Sequence, residues 1–137
     1  MILKGERPNL IMGNLDSKRD WGHAKDYVEG MWRMLQSDTP TDYVLSTNEF
    51  HSVREFIEKA FALKGFLIKW EGEGINEIGV DEHSGRELIC VSEKYFRPSE
   101  VEELLGDSTK VRTELGWDPK CTFDELVQEM VENDCGL

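Results

Sequence analysis

Two arginines stand in short motifs that suit the binding of a phosphate group. Arg19 lies in the segment 13–28, which reads GNLDSKRDWGHAKDYV and leads directly into an amphipathic stretch. Arg97 lies in the segment 95–101, YFRPSEV, where Pro98 fixes the backbone ahead of a helix-start pattern. A guanidinium group binds two phosphate oxygens at once and stays charged at any relevant pH. We therefore predict that each arginine can bind an anionic group, such as a phosphate, from its own loop.

Three more side chains in these segments are candidate contacts for a nucleotide. Asn14 and Lys18 share the loop of Arg19, and Glu100 follows Arg97 in the first turn of a predicted helix. Each has an ordinary alternative role, because asparagine favours turns, an exposed lysine is simply solvated, and an acid in a first turn complements the helix dipole. Arg19 could likewise form only a surface ion pair. We retain all five side chains as candidate substrate-binding residues.

Spacing gives no sign of a metal site or of a disulfide framework. The histidines and cysteines lack the short ligand spacings of zinc sites. They are His23, His51, His83, Cys90, Cys121 and Cys135. An odd number of widely spaced cysteines indicates reduced thiols in a cytoplasmic protein. We therefore assign no metal ligand, and spacing alone suggests no catalytic residue.

The balance of charge limits the partners of the chain. Its 137 residues include 16 basic and 28 acidic side chains, for a net charge of −12. Such a field repels nucleic acid and anionic membrane surfaces, and no apolar run approaches the length of a membrane span. We expect no nucleic-acid and no membrane partner. An anionic ligand would need a local reversal of charge, for which the candidates are Lys18, Arg19, Lys25 and Arg97.

Periodicity and capping patterns predict the elements that position these loops. Helices are predicted at residues 23–36, 52–65, 99–106, 108–115 and from residue 122 onward. Short strands are predicted at residues 10–12, 42–47, 66–70 and 88–91. Residues 1–12 are interpreted as a leading segment, and the glycine-rich, acidic residues 71–87 as an exposed hairpin or loop. The pattern indicates a single α+β domain over residues 1–137, helix-rich with a few short strands.

The segment 13–28 resembles, almost residue for residue, a signature of the GDP-mannose 4,6-dehydratases, which belong to the extended short-chain dehydrogenase/reductase superfamily. Further matching blocks follow in order at residues 31–36, 51–56, 70–72, 95–101, 105–107 and 129–131. The resemblance implies that Arg19 and Arg97 contact the diphosphate and that Glu100 contacts the ribose hydroxyls. Trp117, in LGWDP, matches a superfamily element that packs the final helices. We interpret all four tryptophans as core or loop anchors.

The resemblance implies the C-terminal, substrate-binding part of a larger enzyme. We expect the N-terminal Rossmann half to be missing, because no glycine cluster has the G-x-G-x-x-G spacing of a dinucleotide site. The superfamily's Y-x-x-x-K pair is also absent, since no tyrosine is followed four residues later by lysine. We therefore expect the chain alone to bind no cofactor and to be inactive. Surface left uncovered by the missing half should favour a homo-oligomer.

As the resemblance implies, the whole enzyme oxidises C4 of GDP-mannose with bound NADP, eliminates water across C5 and C6, and returns the hydride to C6. The product, GDP-4-keto-6-deoxymannose, is a precursor of GDP-fucose. Two alternatives stay open. One is a non-catalytic nucleotide-sugar-binding or regulatory module, and the other is a fragment of a related nucleotide-sugar epimerase or reductase.

Overall fold

The computed structural model describes residues 9–101 and 103–135, and the chain divides into two compact units. Unit 1 is formed from residues 1–17 and 52–102, and unit 2 from residues 18–51 and 103–137. Residues 1–8 of the predicted leading segment lie outside the described residues. Within the described ranges, no helix has both the length and the apolar character needed to cross a membrane.

Residues 9–101 and 103–135 contain six short strands and four α-helices. The strands are β1 (Leu10–Met12), β2 (Lys18–Arg19), β3 (His51–Ser52), β4 (Ile68–Glu71), β5 (Ile78–Asp81) and β6 (Glu87–Val91). The helices are α1 (Ala24–Leu35), α2 (Val53–Ala62), α3 (Thr109–Leu115) and α4 (Phe123–Cys135), with a 3₁₀ turn at Gly74–Asn76. This small, mixed set of elements confirms the predicted α+β class.

Unit 1 is built on a four-stranded sheet with the strand order β1-β6-β5-β4. Strand β1 runs parallel to β6, and the other neighbours are antiparallel. Apolar side chains of the sheet, of α2 and of the loop after β1 form one core. Its buried members are Leu15, Ile57, Phe61, Leu88 and Ile89. The loop after β1 is therefore anchored in this core at Leu15, near the start of the signature segment 13–28.

Helix α2 begins and ends where its capping signals predict. The hydroxyl of Ser52 accepts a hydrogen bond from the backbone N–H of Glu55 at 3.0 Å, which satisfies one of the otherwise unpaired amides of the first turn. Past the end of the helix, Gly65 has a φ of 79°, a left-handed conformation that favours glycine. The predicted helix over residues 52–65 is thereby confirmed.

Unit 2 packs its helices around Trp117, whose side chain is only 1% exposed. The indole ring stacks on Tyr27 of α1, with ring centroids 6.3 Å apart, and its N–H donates to the backbone carbonyl of Asp26 at 2.7 Å. The Asp26 carboxylate in turn accepts the backbone N–H groups of Lys120 and Cys121 at 3.1 and 3.0 Å. These contacts confirm Trp117 as the anchor of the last helices.

Two predicted elements do not form in the residues that the structure describes. Residues 42–47 form no strand, because in the described chain no neighbouring strand pairs with them, and Val44 stays exposed. Residues 99–101 and 103–106 form no helix, and Glu102, the last residue of its predicted capping box, lies outside the described residues. Val101, Leu104 and Leu105 are all exposed. A helix this short needs a buried apolar face to be stable.

The segment 71–87 forms a hairpin, but it is less exposed than predicted. Its tip is exposed from Glu82 to Arg86, as expected for a turn. Strand β5, which the sequence analysis missed, lies inside the segment, and its residues Gly79 and Asp81 are buried. The sequence pattern did not indicate this strand because glycine is uncommon inside strands. Here Gly79 is required, because without a side chain it lets Ile89 and Trp70 approach the backbone closely.

Candidate functional site

Arg97 is held through its backbone by the side chain of Asn14. The Asn14 amide donates to the Arg97 carbonyl at 2.9 Å and accepts the Arg97 N–H at 2.8 Å. Two hydrogen bonds of opposite direction fix the position of one residue far along the chain. The structure therefore gives Asn14 a positioning role towards Arg97, while its direct contact with a nucleotide stays a prediction.

The guanidinium of Arg97 extends from this fixed backbone into solvent, with 77% of its side chain exposed. The Glu100 carboxylate lies 3.7 Å from the Arg97 Nη1 atom, which is longer than a hydrogen bond. The structure thus brings Asn14, Arg97 and Glu100 together in unit 1. Residues 99–101 and 103–106 form no helix, so the prediction that Arg97 directly precedes a helix was wrong.

Lys18 and Arg19 form β2 in unit 2 and are already engaged in local contacts. The Lys18 ammonium lies 2.7 Å from the Glu103 carboxylate and 4.8 Å from the centre of the Phe50 ring. Arg19 is half-buried and donates from Nη1 to the Lys18 carbonyl at 2.7 Å. Arg19 and Arg97 belong to different units, so their convergence on one diphosphate stays a prediction.

The remaining polar residues of the signature hold unit 2 together. Asp20 accepts the backbone N–H of Thr47 at 2.9 Å and the hydroxyl of Tyr27 at 3.2 Å, and the indole N–H of Trp21 donates to the His51 carbonyl at 3.0 Å. His23 caps α1 by accepting the backbone N–H of Lys25. The sequence alone could not distinguish these structural members of the motif from Lys18 and Arg19.

The Tyr27 hydroxyl provides a direct test of this packing. Burial, together with the Asp20 carboxylate, raises the pKa of Tyr27 from 10.0 to about 12. Since the folded-state pKa lies above the unfolded value, its contribution to stability is complete below pH 10 and is lost as the pH rises through about 12. An absorbance titration of the wild type minus that of Tyr27→Phe should show one late-ionising phenol, and a difference midpoint near 10 would contradict the packing.

Two of the four basic side chains that were expected to offset the acidic charge of the chain are paired with carboxylates instead. The Lys25 ammonium lies 3.2 Å from Glu129, which is also 3.3 Å from the imidazole of His23. The Glu129 carboxylate has its pKa lowered by hydrogen bonds from these two side chains. Lys25 thus serves an ion cluster on unit 2, and Lys18 is paired with Glu103. The carboxylate contact of Arg97, with Glu100 at 3.7 Å, is longer than those of Lys18 and Lys25.

A cleft of about 370 Å³ opens in unit 2, but it contains none of the candidate residues. Its most prominent charged group is Arg112, whose guanidinium lies 2.5 Å from Asp118 and also donates to the Ser108 hydroxyl and the Thr47 carbonyl. Three partners within the protein leave this arginine little capacity for a ligand. We therefore interpret the cleft as a product of packing.

Arg54 is the residue near the site that the sequence analysis did not single out. In the sequence it lies in the first turn of the helix predicted over residues 52–65. In the structure its guanidinium forms two-pronged hydrogen bonds with Asp16, in the signature loop, and with Glu77. Hydrogen bonding to Arg54 lowers the pKa of Asp16, against the smaller opposing effect of burial. No local sequence signal distinguishes this arginine from an exposed helical one.

A family model and several known proteins are similar to this chain. A family model described as GDP-mannose 4,6 dehydratase matches residues 1–130. The human GDP-mannose 4,6 dehydratase is 53% identical over 136 residues, which cover 99% of this chain and 37% of that protein. The Drosophila melanogaster GDP-mannose 4,6 dehydratase is 54% identical over 126 residues, which cover 92% of this chain and 32% of that protein. The chain thus spans about a third of the length of these relatives.

The fold is also found in solved structures of low sequence identity. A structure of RMD from Pseudomonas aeruginosa complexed with NADPH matches with a TM-score of 0.72 at 17% identity. The match covers 97% of this chain and 38% of that protein. At this identity the likeness concerns the fold alone.

Proposed function

The chain belongs to the GDP-mannose 4,6 dehydratase family, and we propose that it forms the GDP-mannose-binding portion of such an enzyme. The observation that carries the proposal is the geometry at Arg97. Its backbone is fixed by two hydrogen bonds from Asn14, while its guanidinium is mostly exposed on a strongly acidic chain. A fixed backbone that presents a solvated guanidinium suits the capture of a dianionic diphosphate, because only the side chain, and not the backbone, has to be ordered on binding.

Each candidate residue then has a definite role. Arg97 and Arg19 bind the diphosphate, and Glu100 accepts hydrogen bonds from the ribose hydroxyls. Asn14 orients Arg97 and donates to the nucleotide if the ligand displaces one of its present bonds. Lys18 contributes least, because it must first leave Glu103, which lies 2.7 Å away.

The whole enzyme, in this proposal, carries NADP in a Rossmann half and converts GDP-mannose to GDP-4-keto-6-deoxymannose, in the cytoplasm and on the route to GDP-fucose. The segment described here supplies binding and orientation, so that C4 faces the nicotinamide. Positioning of this kind contributes several kcal/mol to catalysis, on the order of 7 for a well-oriented pair. The sequence contains no Y-x-x-x-K pair, so the chemistry itself is assigned to the rest of the enzyme.

An unpartnered apolar stripe on α1 supports the view that this segment works within a larger protein. Val28, Met31, Trp32 and Leu35 follow one another at helical spacing, and all four are exposed. Contiguous apolar surface of this kind is normally covered by another part of the protein. We propose that the Rossmann half covers the stripe in the whole enzyme, and that in its absence the chain associates with itself.

A ligand series tests the binding role. We expect the isolated chain to bind GDP-mannose weakly and GDP somewhat more weakly still, because the diphosphate and ribose carry most of the contacts. Mannose should produce no response, and UDP-glucose should bind less well than GDP-mannose. Chemical-shift changes in a ¹⁵N-resolved NMR titration measure all four ligands on one sample. Equal responses to mannose and GDP-mannose would contradict the proposal.

A complementation assay separates the enzyme portion from a stand-alone binding module. The chain is mixed with an N-terminal half of a GDP-mannose 4,6 dehydratase and NADP, and the 4-keto product is measured. Recovery of dehydration supports a substrate-binding portion of the enzyme. Binding without recovery favours the non-catalytic module.

A further inference from the structure

Arg54 lies at the centre of a charged cluster in unit 1. Its Nε and Nη2 atoms donate to the two carboxylate oxygens of Asp16 at 2.8 and 3.1 Å. Its Nη1 and Nη2 atoms donate to Glu77 at 2.6 and 3.2 Å, and the guanidinium carbon lies 4.6 Å from the centre of the Trp70 ring. Two bidentate pairs and a stacked ring fix the guanidinium plane, which a lysine could not reproduce.

The two carboxylate partners of Arg54 differ in exposure and in the part of unit 1 to which they belong. Glu77 is mostly buried, with 14% of its side chain exposed, and it ties Arg54 to the sheet of unit 1. Asp16 is 80% exposed and belongs to the loop between β1 and β2. An exposed aspartate would normally move freely in solvent. Because Arg54 binds both Glu77 and Asp16, it holds Asp16, and with it the loop, in a fixed position relative to the sheet.

Every residue from Gly13 to Ser17 is held within unit 1. A Cβ atom on Gly13 would lie 2.3 Å from the Tyr95 carbonyl oxygen, so this backbone passes directly against its neighbour. Leu15 is buried in the core and its carbonyl accepts the backbone N–H of Arg54 at 2.8 Å, while the Ser17 carbonyl accepts that of Val53 at 3.2 Å. The first amides of α2 are thus satisfied by the loop itself.

We propose that Arg54 is a positioning residue for the nucleotide-sugar site, an inference that rests on the proposed function. By fixing Asp16, it holds the loop in the conformation in which Asn14 binds both backbone groups of Arg97. The same loop leads without interruption into Lys18 and Arg19. One guanidinium outside the candidate residues thereby sets two segments of unit 1, the loop that contains Asn14 and the segment that contains Arg97.

The test uses the Arg54→Lys variant of the chain, which keeps the positive charge and loses the two bidentate pairs. We expect its affinity for GDP-mannose to fall about tenfold, the equivalent of one charge-assisted hydrogen bond. In the free chain, the NMR signals of the Asn14 side-chain amide and the Arg97 backbone N–H should shift. Combining Arg54→Lys with Asn14→Ala should lower the affinity no further than the worse single variant, because both act through one loop.

Arg33→Lys is the matched control. Arg33 makes four comparable hydrogen bonds, to Glu29 and to two backbone carbonyls of unit 2. It should lower stability to a similar degree and leave the affinity and the Asn14 signal unchanged. If Arg54→Lys does not fold, Asp16→Asn, at an exposed position, should give the same shifts and loss of affinity.

The outcomes separate the two proposals. Wild-type affinity and an unmoved Asn14 signal in a folded Arg54→Lys or Asp16→Asn variant would overturn the positioning role. A wild-type chain that binds no GDP-mannose would overturn the proposed function instead. In that case, a comparison of the Asn14 and Arg97 NMR signals between the ligand-free wild type and the Arg54→Lys variant still decides whether Arg54 fixes the conformation of the loop.

Discussion

Replacing Arg19 and Arg97 together by alanine should lower the affinity of the chain for GDP-mannose by about 100-fold or more. A hydrogen bond to a charged group contributes about 1.5–3 kcal/mol, so the loss of two such groups corresponds to at least two powers of ten. The Arg97→Ala replacement should change the free energy of unfolding little, because the Arg97 side chain is 77% exposed. Isothermal titration calorimetry of the single and double variants measures the effect, and ³¹P NMR of the bound diphosphate locates it.

The control for this prediction is the Lys69→Ala/Arg86→Ala variant. Both residues are exposed in unit 1, and their removal changes the net charge by the same amount. If attraction between an anionic ligand and overall charge explained the binding, this control would weaken it equally. Unchanged affinity in the control with a large loss in the Arg19→Ala/Arg97→Ala variant would support two specific contacts. Equal affinity in the wild type and that variant would exclude the diphosphate contacts.

Trp117→Ala should remove about 3–5 kcal/mol from the free energy of unfolding, as expected for loss of a large buried aromatic side chain. The indole fills the centre of unit 2, stacks on Tyr27, and donates to the carbonyl of Asp26. Its removal leaves a cavity and a polar group without its donor. Because typical domains are stable by only about 5–15 kcal/mol, a large fraction of the chain should be unfolded at mild denaturant concentrations. Urea denaturation followed by circular dichroism measures the change.

Trp32→Ala is the matched control for that experiment. The two residues have the same side chain and lie in the same unit, but Trp32 is 61% exposed and Trp117 is 1% exposed. Its replacement should change stability by no more than about 0.5 kcal/mol and should reduce self-association of the chain. A similar loss of stability in both variants would show that Trp117 is not the packing centre.

Local signals predicted the helices well wherever capping chemistry and an apolar face agreed. At α4, the Thr122 hydroxyl accepts the Glu125 N–H and the Glu125 carboxylate accepts the Thr122 N–H, as the capping-box pattern indicated. Gly116, with a φ of 61°, ends α3 where the sequence placed its stop. These features depend on residues three or four positions apart, so they can be read from the sequence without knowledge of the fold.

Prediction failed where an element depends on a partner elsewhere in the chain or outside it. Residues 42–47 have the composition of a buried strand, but a strand is stable only beside another strand. Trp32 was expected to be an anchor and is instead exposed on α1. Both errors have the same cause. The hydrophobicity of a segment predicts that it will be buried, but it does not specify which other part of the protein packs against it. The exposed α1 stripe is the surface that the proposed Rossmann half would occupy.

The sequence by itself determined the family and the two arginine-bearing motifs, because residue types at fixed short spacings carry that information. Only the tertiary structure decided which motif residues are structural, since Asp20, Trp21 and Asp26 are bound to partners far along the chain. It also joined Asn14 to Arg97 across 83 positions and brought Arg54 to Asp16 across 38. Such pairings depend on how the sheet and α2 pack together, which no local pattern encodes.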